Sequence, residues 1–371
     1  MTGKTQSYAR QLNNKLIMRE LRQGECSATM LANRLGLSNA ALSAILNNLL
    51  QCGYIKQTDT VSAGSIGRKP VYYKINGSFG YVAVVSLAEH STNIVISDMN
   101  MKVTDNVQTS VKQYDVTTLY ELVLAVGRVL SQEKYRSGKL LGVELSVSGN
   151  VAKQISKPLT SVQSDNGILS PQDGVVGMFA RQFNVPVNVT NSISLAAIGE
   201  MYDGAMQNVS NGMLVHVDEG IGGAFVFDGR LYDGEQGCGG KVGLMRTVFN
   251  GEYKCLNEVA SLRAISNVLG LSSVNELTAA YKQSSYAREY VNSTAESLGR
   301  VLKDLAELLD ISKITIIGRV REFGTDYLSV VQNEVDKSQN VCAVEYSAMT
   351  DPSVMGAVRR SVTELTDKLF D

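Results

Sequence analysis

The sequence predicts an α/β protein in two parts, a small winged helix-turn-helix head followed by a larger body of mixed sheets flanked by helices. Three observations predict it. Between Asn13 and Gln51, apolar residues recur at helical spacing in three short segments punctuated by Gly and Ser. Two strand-like runs, Tyr54–Gln57 and Val71–Ile75, then flank a stretch rich in Ser and Gly. From Gly80 onward, short apolar strands alternate with helical segments, as in layered α/β domains.

Composition bounds the possibilities. With 371 residues, 44% hydrophobic and 19% charged, the chain is an ordinary globular protein of two or three domains. No run approaches the ~18 uninterrupted apolar residues of a membrane-spanning helix. Met1–Arg10 is polar and lacks the apolar core of a signal peptide. The five cysteines, Cys26, Cys52, Cys238, Cys255 and Cys342, show no CxxC spacing and read as reduced thiols of a cytoplasmic protein. The net charge of −1 hides an asymmetry: residues 1–80 hold ten Lys+Arg against three Asp+Glu, and the remainder 25 against 33. A basic head on an acidic body is expected when only the head meets nucleic acid.

In the head, Leu16, Ile17 and Leu21 share one face of a helix over Asn13–Arg22. Ser27 is a fitting N-cap for a second helix, Ala28–Leu35, which stops at Gly36. Ser38 caps a third, Asn39–Gln51. There Leu42, Ile45, Leu46 and Leu49 form a core stripe, and the opposite face offers Asn39, Ala40, Ser43 and Asn47, with no acid. Such a face can enter a major groove and hydrogen-bond base edges. The loop between the two strands ends in Gly67-Arg68-Lys69-Pro70, placing Arg68 and Lys69 where a wing meets phosphates or a minor groove. The blander reading of the same segment is a helical protein-interaction domain with a solvated loop.

In the body, Tyr81–Ser86, Thr92–Ser97 and Met101–Thr109 read as successive strands, Thr118–Glu133 as a helix and Leu140–Ser146 as a buried strand. Val187–Thr190 is a strand leading into a helix, Ser192–Tyr202. Gly212–Val217 and Ala224–Phe227 flank Gly220-Ile221-Gly222-Gly223, Ile314–Ile317 is a late strand, and Val354–Phe370 a terminal helix. Leu302, Leu305, Leu308 and Leu309 form a helical stripe read as core, and His216 reads as packed within its strand.

The segments NNKLIMRELRQGECSATMLANRLGLSNAALSAILNNLLQCGYI and GRKPVYYKIN, then LLGVELSVSGNV, VPVNVTNSISLAAIGE, GIGGAFVFDGRLYDGEQGCGGKVGL and VMGA, occur here in a recognisable order. Over nearly the whole chain they resemble the ROK family (repressors, open reading frames, kinases), in its repressor branch. The resemblance implies a two-lobed actin-like (ribonuclease H-like) ATPase/sugar-kinase fold behind the winged head. It also implies a homodimer or tetramer on double-stranded operator DNA near sugar-utilisation genes. The implied domains are residues 1–78, the head; 79–190, a first lobe to which a terminal helix of about 352–371 returns; and 191–351, a second lobe.

Departures from the family pattern argue against enzyme chemistry. Where its kinases have an Asp-x-Gly-Gly-Thr-Lys phosphate loop, this chain has Ser86-Leu87-Ala88-Glu89-His90-Ser91. The Asn-Asp pair bearing the catalytic base is Asn191-Ser192, and a serine cannot take a hydroxyl proton without a base of its own. The second phosphate loop, Gly-Thr-Gly-Ile-Gly, is Asp218-Glu219-Gly220-Ile221-Gly222, which sets two carboxylates against a triphosphate. The zinc motifs reduce to Gly240-Lys241-Val242-Gly243-Leu244 and a single cysteine, Cys255, read as a plain buried thiol. Neither zinc nor ATP is therefore expected as a cofactor. Ser148, Asn191, Ser192 and Lys241 remain as candidates for holding an effector, a sugar or sugar derivative. Lys241, which can only donate, suits an anionic one. Two other readings stay open: a sugar kinase with an appended head, and a dimeric DNA-binding scaffold without ligand.

Overall fold

Two serines and a glycine set the helices of the head. Helix α1 (Thr2–Gln23) leads through the short strand β1 (Cys26–Ser27) into α2 (Ala28–Leu35), where Ser27 Oγ accepts the Met30 N–H at 3.3 Å. Gly36 ends α2 in the left-handed region, at φ 65°, a conformation that favours glycine. Ser38 then caps α3 (Asn39–Gln51), its Oγ accepting the Ala41 N–H at 3.3 Å. Strands β2 (Ile55–Thr58) and β3 (Tyr72–Ile75) pair antiparallel, and β1 adds to the far edge of β3. Ile17, Leu21, Leu31, Leu42, Leu46 and Leu49 are buried apolar residues of these helices that shape the head's core. The computed structural model describes residues 2–58, 71–88, 91–110, 116–148, 175–235, 237 and 239–371, so Arg68, Lys69, Glu89, His90 and Cys238 lie outside the described residues.

The chain divides into two compact units, residues 1–190 with 358–371, and 191–357. The head is thus part of the first unit, not a unit of its own. In that unit the sheet order is β6-β5-β4-β7-β8, from β4 (Gly80–Leu87), β5 (Ser91–Asp98), β6 (Val103–Ser110), β7 (Lys139–Val147) and β8 (Val187–Asn191). Strands β4, β5 and β6 are antiparallel neighbours, and β4 and β7 are parallel. Helices α4 (Val116–Leu130) and α5 (Val175–Phe183) supply Leu119, Leu122, Val126 and Phe179 to the core.

The second unit begins with α6 (Ser192–Asp203) and repeats the same strand plan: β9 (Gly212–Val217), β10 (Ile221–Phe227) and β11 (Arg230–Tyr232), then β14 (Lys313–Ile317) and β15 (Ala343–Tyr346), in order β11-β10-β9-β14-β15. Here the first three are antiparallel and the rest parallel. Between β11 and β14 lie the hairpin β12 (Arg246–Phe249) and β13 (Glu252–Cys255) and the helices α7 (Leu256–Ala260), α8 (Leu262–Val268), α9 (Val274–Gln283) and α10 (Ser285–Leu309). Helix α11 (Gly324–Val335) precedes β15. In α10, Leu302, Leu305 and Leu309 pack into the core as the stripe predicts, but Leu308 is 78% exposed. Those four residues span more arc than the core covers.

The last helix, α12 (Pro352–Lys368), starts in the second unit and ends in the first. In the second unit, Gly199 of α6 and Gly356 of α12 let the two helices approach backbone to backbone. A Cβ at Gly356 would collide with the Leu195 carbonyl. In the first unit α12 packs on β7, where Gly142 lies under Leu365, and on the head. Arg22 of α1 donates to the Val362 carbonyl at 3.0 Å and Thr363 Oγ1 at 3.2 Å, and also bonds Thr366 Oγ1. Burial pushes the Arg22 guanidinium down to about 10. Gln11 donates to the Asp371 carbonyl at 2.9 Å, and Phe370 meets Tyr54 edge-on at 5.8 Å between ring centroids.

Candidate nucleic-acid interface and body cavity

The outward face of α3 follows from its inward one. Leu42, Ile45, Leu46 and Leu49 are buried, so the helical period turns Asn39, Ala40, Ser43, Ala44 and Asn47 outward, and all five are exposed. Four of the residues expected to meet DNA thus share one open face, and Ser38, also exposed, holds the helix start. The cations of the head belong to other elements. Lys56 on β2 and Arg10 and Arg19 on α1 are exposed, whereas Arg34 pairs with Glu20 at 3.1 Å and Lys74 with Glu25 at 3.0 Å.

In the second unit a cavity of about 270 Å³ opens beside the N-termini of α6 and α12. Ser192 lines it, together with His216 at the end of β9, Asp218, Arg319, Arg321 and Asp351. Asn191 Oδ1 accepts the Ile193 N–H at 2.8 Å, so Asn191 serves as the N-cap of α6. Asp351 does the same for α12, accepting the Val354 N–H at 3.1 Å. Arg319 Nε reaches Glu322 at 2.9 Å, and Arg321 donates to the Met349 carbonyl at 3.2 Å. His216 is half-buried and faces this cavity instead of packing fully within the sheet. Burial lowers its pKa, with the Asp218 carboxylate opposing. Lys241 is exposed, heads a 3-10 turn over Val242–Leu244 and does not line the cavity. Ser148 belongs to the first unit, where it follows β7 half-buried, its buried Oγ without a hydrogen-bond partner among the described residues.

Sequence reasoning missed His216, Arg319, Arg321 and Asp351. One signal was readable: Asp351-Pro352-Ser353 is a helix start, an Asx cap followed by Pro at the first helical position. Nothing comparable marks the other three. Cys255 also differs from expectation. It is half-buried and forms a capping box on α7, its sulfur accepting the Glu258 N–H while Glu258 accepts the Cys255 N–H at 2.9 Å.

The residues present do not fit the groups that the resemblance implies. For zinc, Lys241 is a cation, Leu244 is apolar and 61% exposed, and Cys255 is engaged as a cap; among the described residues no three His, Cys, Asp or Glu converge on a metal position. For a nucleotide, several amides at and beside the turn Asp218–Gly222 are already engaged. Asp218 accepts the N–H of Glu219 at 2.9 Å and of Arg319 at 3.2 Å, Asn257 Oδ1 accepts that of Ile221 at 2.7 Å, and the Gly240 carbonyl that of Gly223 at 2.8 Å. The Asp218 carboxylate acts as an internal anion on N–H groups that a phosphate loop would present. Glu219, by contrast, pairs with Arg263 at 2.5 Å, which offsets its charge.

A winged head joined to two sheets of the same strand order defines the class, a helix-turn-helix protein with a sugar-kinase-like, actin-fold body. The chain belongs to the ROK family, whose model matches residues 82–358, while that of the bacterial regulatory proteins of the arsR family matches residues 15–57. It is 24% identical over 229 residues to the DNA-binding transcriptional dual regulator NagC of Escherichia coli K12, which covers 61% of this chain and 55% of that protein. With the xylose repressor of Bacillus subtilis 168 it shares 25% over 231 residues, 62% of this chain and 59% of that one. The chain therefore spans a little over half the length of these curated relatives. Among solved structures, a ROK family transcriptional regulator described as a homolog of E. coli MLC superposes with a TM-score of 0.76 at 18% identity, covering 98% of both chains. A ROK family glucokinase of Streptomyces griseus gives 0.57 at 18% identity, over 76% of this chain and 99% of that one. These superpositions establish the fold. Among the described residues no helix is long and apolar enough to cross a membrane.

Proposed function

We propose that this chain is a DNA-binding transcriptional regulator, a cytoplasmic repressor of carbohydrate-utilisation genes. It would bind double-stranded operator DNA as a homodimer or tetramer. The observation that carries the reading is the capped helix α3, whose exposed face has no acid, on a head with ten cations against three acids. The relatives named as repressors support the sign of regulation and the link to sugars. Two-fold symmetry of the protein would match inverted half-sites.

In this reading the body is a sensor and not an enzyme, and it works without nucleotide or zinc. Ser192 in place of a carboxylate and the internally satisfied amides around Asp218 support that part. A sugar or sugar-derivative effector would occupy the cavity at Ser192, whose volume lies near the lower edge of small-ligand pockets, roughly 300 Å³. Helix α12 offers a route to the head, because its first turn lines the cavity and Val362, Thr363 and Thr366 hold Arg22. An effector can act this way only by binding two arrangements of the helix unequally.

The test is selection of genomic fragments by the purified chain at physiological salt, followed by sequencing. An inverted repeat upstream of carbohydrate genes is the expected result. Retention without sequence enrichment, erased by added salt, would count against the regulator. ATP turnover with any hexose would revive the kinase reading, and the absence of a thermal shift with any sugar, sugar phosphate or sugar acid would favour the ligand-free scaffold.

A further inference from the structure

Helix α3 has a feature that narrows what it can read. Its thirteen residues, Asn39–Gln51, include no Lys, Arg, His, Asp or Glu. The commonest guanine contact is a cation on O6 and N7, and cytosine N4 is taken by an acid; α3 can supply neither. What its outer face does supply is amides, methyls and one hydroxyl. Asparagine matches adenine bidentately through N6 and N7, alanine packs on the thymine methyl, and serine accepts either pair. Asn39, Ala40, Ser43, Ala44 and Asn47 are all exposed, and Ala40, Ala44 and Asn47 fall along one row opposite the buried stripe.

We infer that α3 is an A·T reader, with Asn39 and Asn47 taking adenine edges and Ala40 and Ala44 taking thymine methyls. At a rise of ~1.5 Å per residue, Ala40 to Asn47 spans about 10 Å, roughly three base-pair steps. Each half-site therefore holds a run of three or four A·T pairs beneath α3. The division of labour is also defined. Affinity for phosphates comes from cations on other elements, such as the exposed Lys56 on β2, while α3 contributes specificity without charge.

This inference rests on the DNA-binding reading, and the experiment separates the two. The full-length protein is used to select from a random duplex library, and the enriched site is then measured with single base-pair changes and at several salt concentrations. The expected result is an A·T run in each half-site, with a G·C pair inside it weakening binding roughly ten- to hundred-fold. Asn47→Ala should erase the preference at one position of the run while leaving the slope of log affinity against log salt unchanged, since no phosphate contact is lost. Alanine is a strong helix former and Asn47 is exposed, so the variant keeps its fold. An enriched site with guanine in the α3 run overturns the A·T assignment while leaving the regulator intact, as does Asn47→Ala with unchanged base preference. Failure to enrich any sequence overturns both.

Discussion

Replacing Ser38 by alanine removes the side-chain cap of α3, and the structure sets how much that should matter. The Ser38 Oγ to Ala41 N distance of 3.3 Å is long for a hydrogen bond, and the site is exposed, which places the loss at the low end of the N-cap range, about 0.5–1 kcal/mol. Hydrogen exchange of the Ala41 amide should then accelerate by roughly two- to five-fold, with the rest of the head unchanged, since the stripe of three leucines and one isoleucine still packs. The thermal midpoint should fall by only ~1–4 °C, because the head belongs to a larger unit. Ser38→Asp is the informative partner, because aspartate caps as well as serine. It should restore the exchange rate and the melting temperature but weaken operator binding, by setting a negative charge against the phosphate backbone. Calorimetric melting, amide exchange and fluorescence anisotropy on the selected operator read the three effects separately. If Ser38→Ala leaves Ala41 exchange unchanged, Ser38 is not a stabilising cap; if Ser38→Asp binds DNA as well as the parent, the placement of this helix start at DNA is wrong.

Further predictions concern the elements that hold the head and the body. Phe370→Ala should cost about 3 kcal/mol, the low end for a buried phenylalanine, since the ring is 8% exposed and edge-on to Tyr54; thermal melting should show it, with faster amide exchange in α1. Gly356→Ala should destabilise by about 1–3 kcal/mol in chemical denaturation, because the new methyl meets the Leu195 backbone carbonyl, which cannot yield as a side chain could. Glu144 is fully buried on β7, accepts from Thr190 at 2.5 Å and Ser361 at 3.2 Å, and burial holds its pKa above the ordinary carboxylate value. The folded state thus binds this proton more tightly than the unfolded chain. The resulting stability is full below the ordinary pKa of ~4.3 and is lost as pH rises through the raised value. Glu144→Gln, permanently neutral, should therefore gain on the parent at pH 8 and lose that advantage toward pH 4. Arg360 donates to Thr190 at 2.9 Å and its charge opposes the burial; urea midpoints across that range check the prediction, and a larger deficit at pH 8 would show that this attraction outweighs burial.

Much of the fold was legible because local signals and tertiary structure agree. Ser27, Gly36 and Ser38 punctuate the head by short-range hydrogen bonds that a sequence displays directly. The first turns of α1 were not legible. They are polar, and the partners of Gln11, Lys15 and Arg22 lie more than 300 residues away on the last helix and terminus. Helices α7 to α9 and strand β15 were not read from the sequence. At the cavity, His216 reads from its place in a strand as packed, and burial does lower its pKa, but as the next-to-last residue of β9 it also lines the opening. Lys241 was weighed by its place in a motif, whereas what decides its role is a 3-10 turn that carries it into solvent.

The turn at Asp218 gives a last test, because the sequence and the structure disfavour nucleotide there for different reasons. From sequence the reason is repulsion: a carboxylate about 4 Å from a phosphate charge costs about 4 kcal/mol at an effective dielectric of 20, or roughly three orders of magnitude in affinity. In the structure Glu219 is paired with Arg263, which offsets one of the two charges, and the Asp218 carboxylate is a hydrogen-bond acceptor for two amides. The double substitution Asp218→Gly with Glu219→Thr restores the letters of the phosphate loop and removes both acids. If repulsion alone excluded nucleotide, MgATP affinity should rise about a thousand-fold in titration calorimetry. The structure predicts far less. Ile221 and Gly223 keep their amides engaged by Asn257 and Gly240. The freed Arg319 amide loses its acceptor, so the variant should also be less stable by about 1–3 kcal/mol. A thousand-fold gain with unchanged stability would mean that two acids alone separate this body from a nucleotide-binding one.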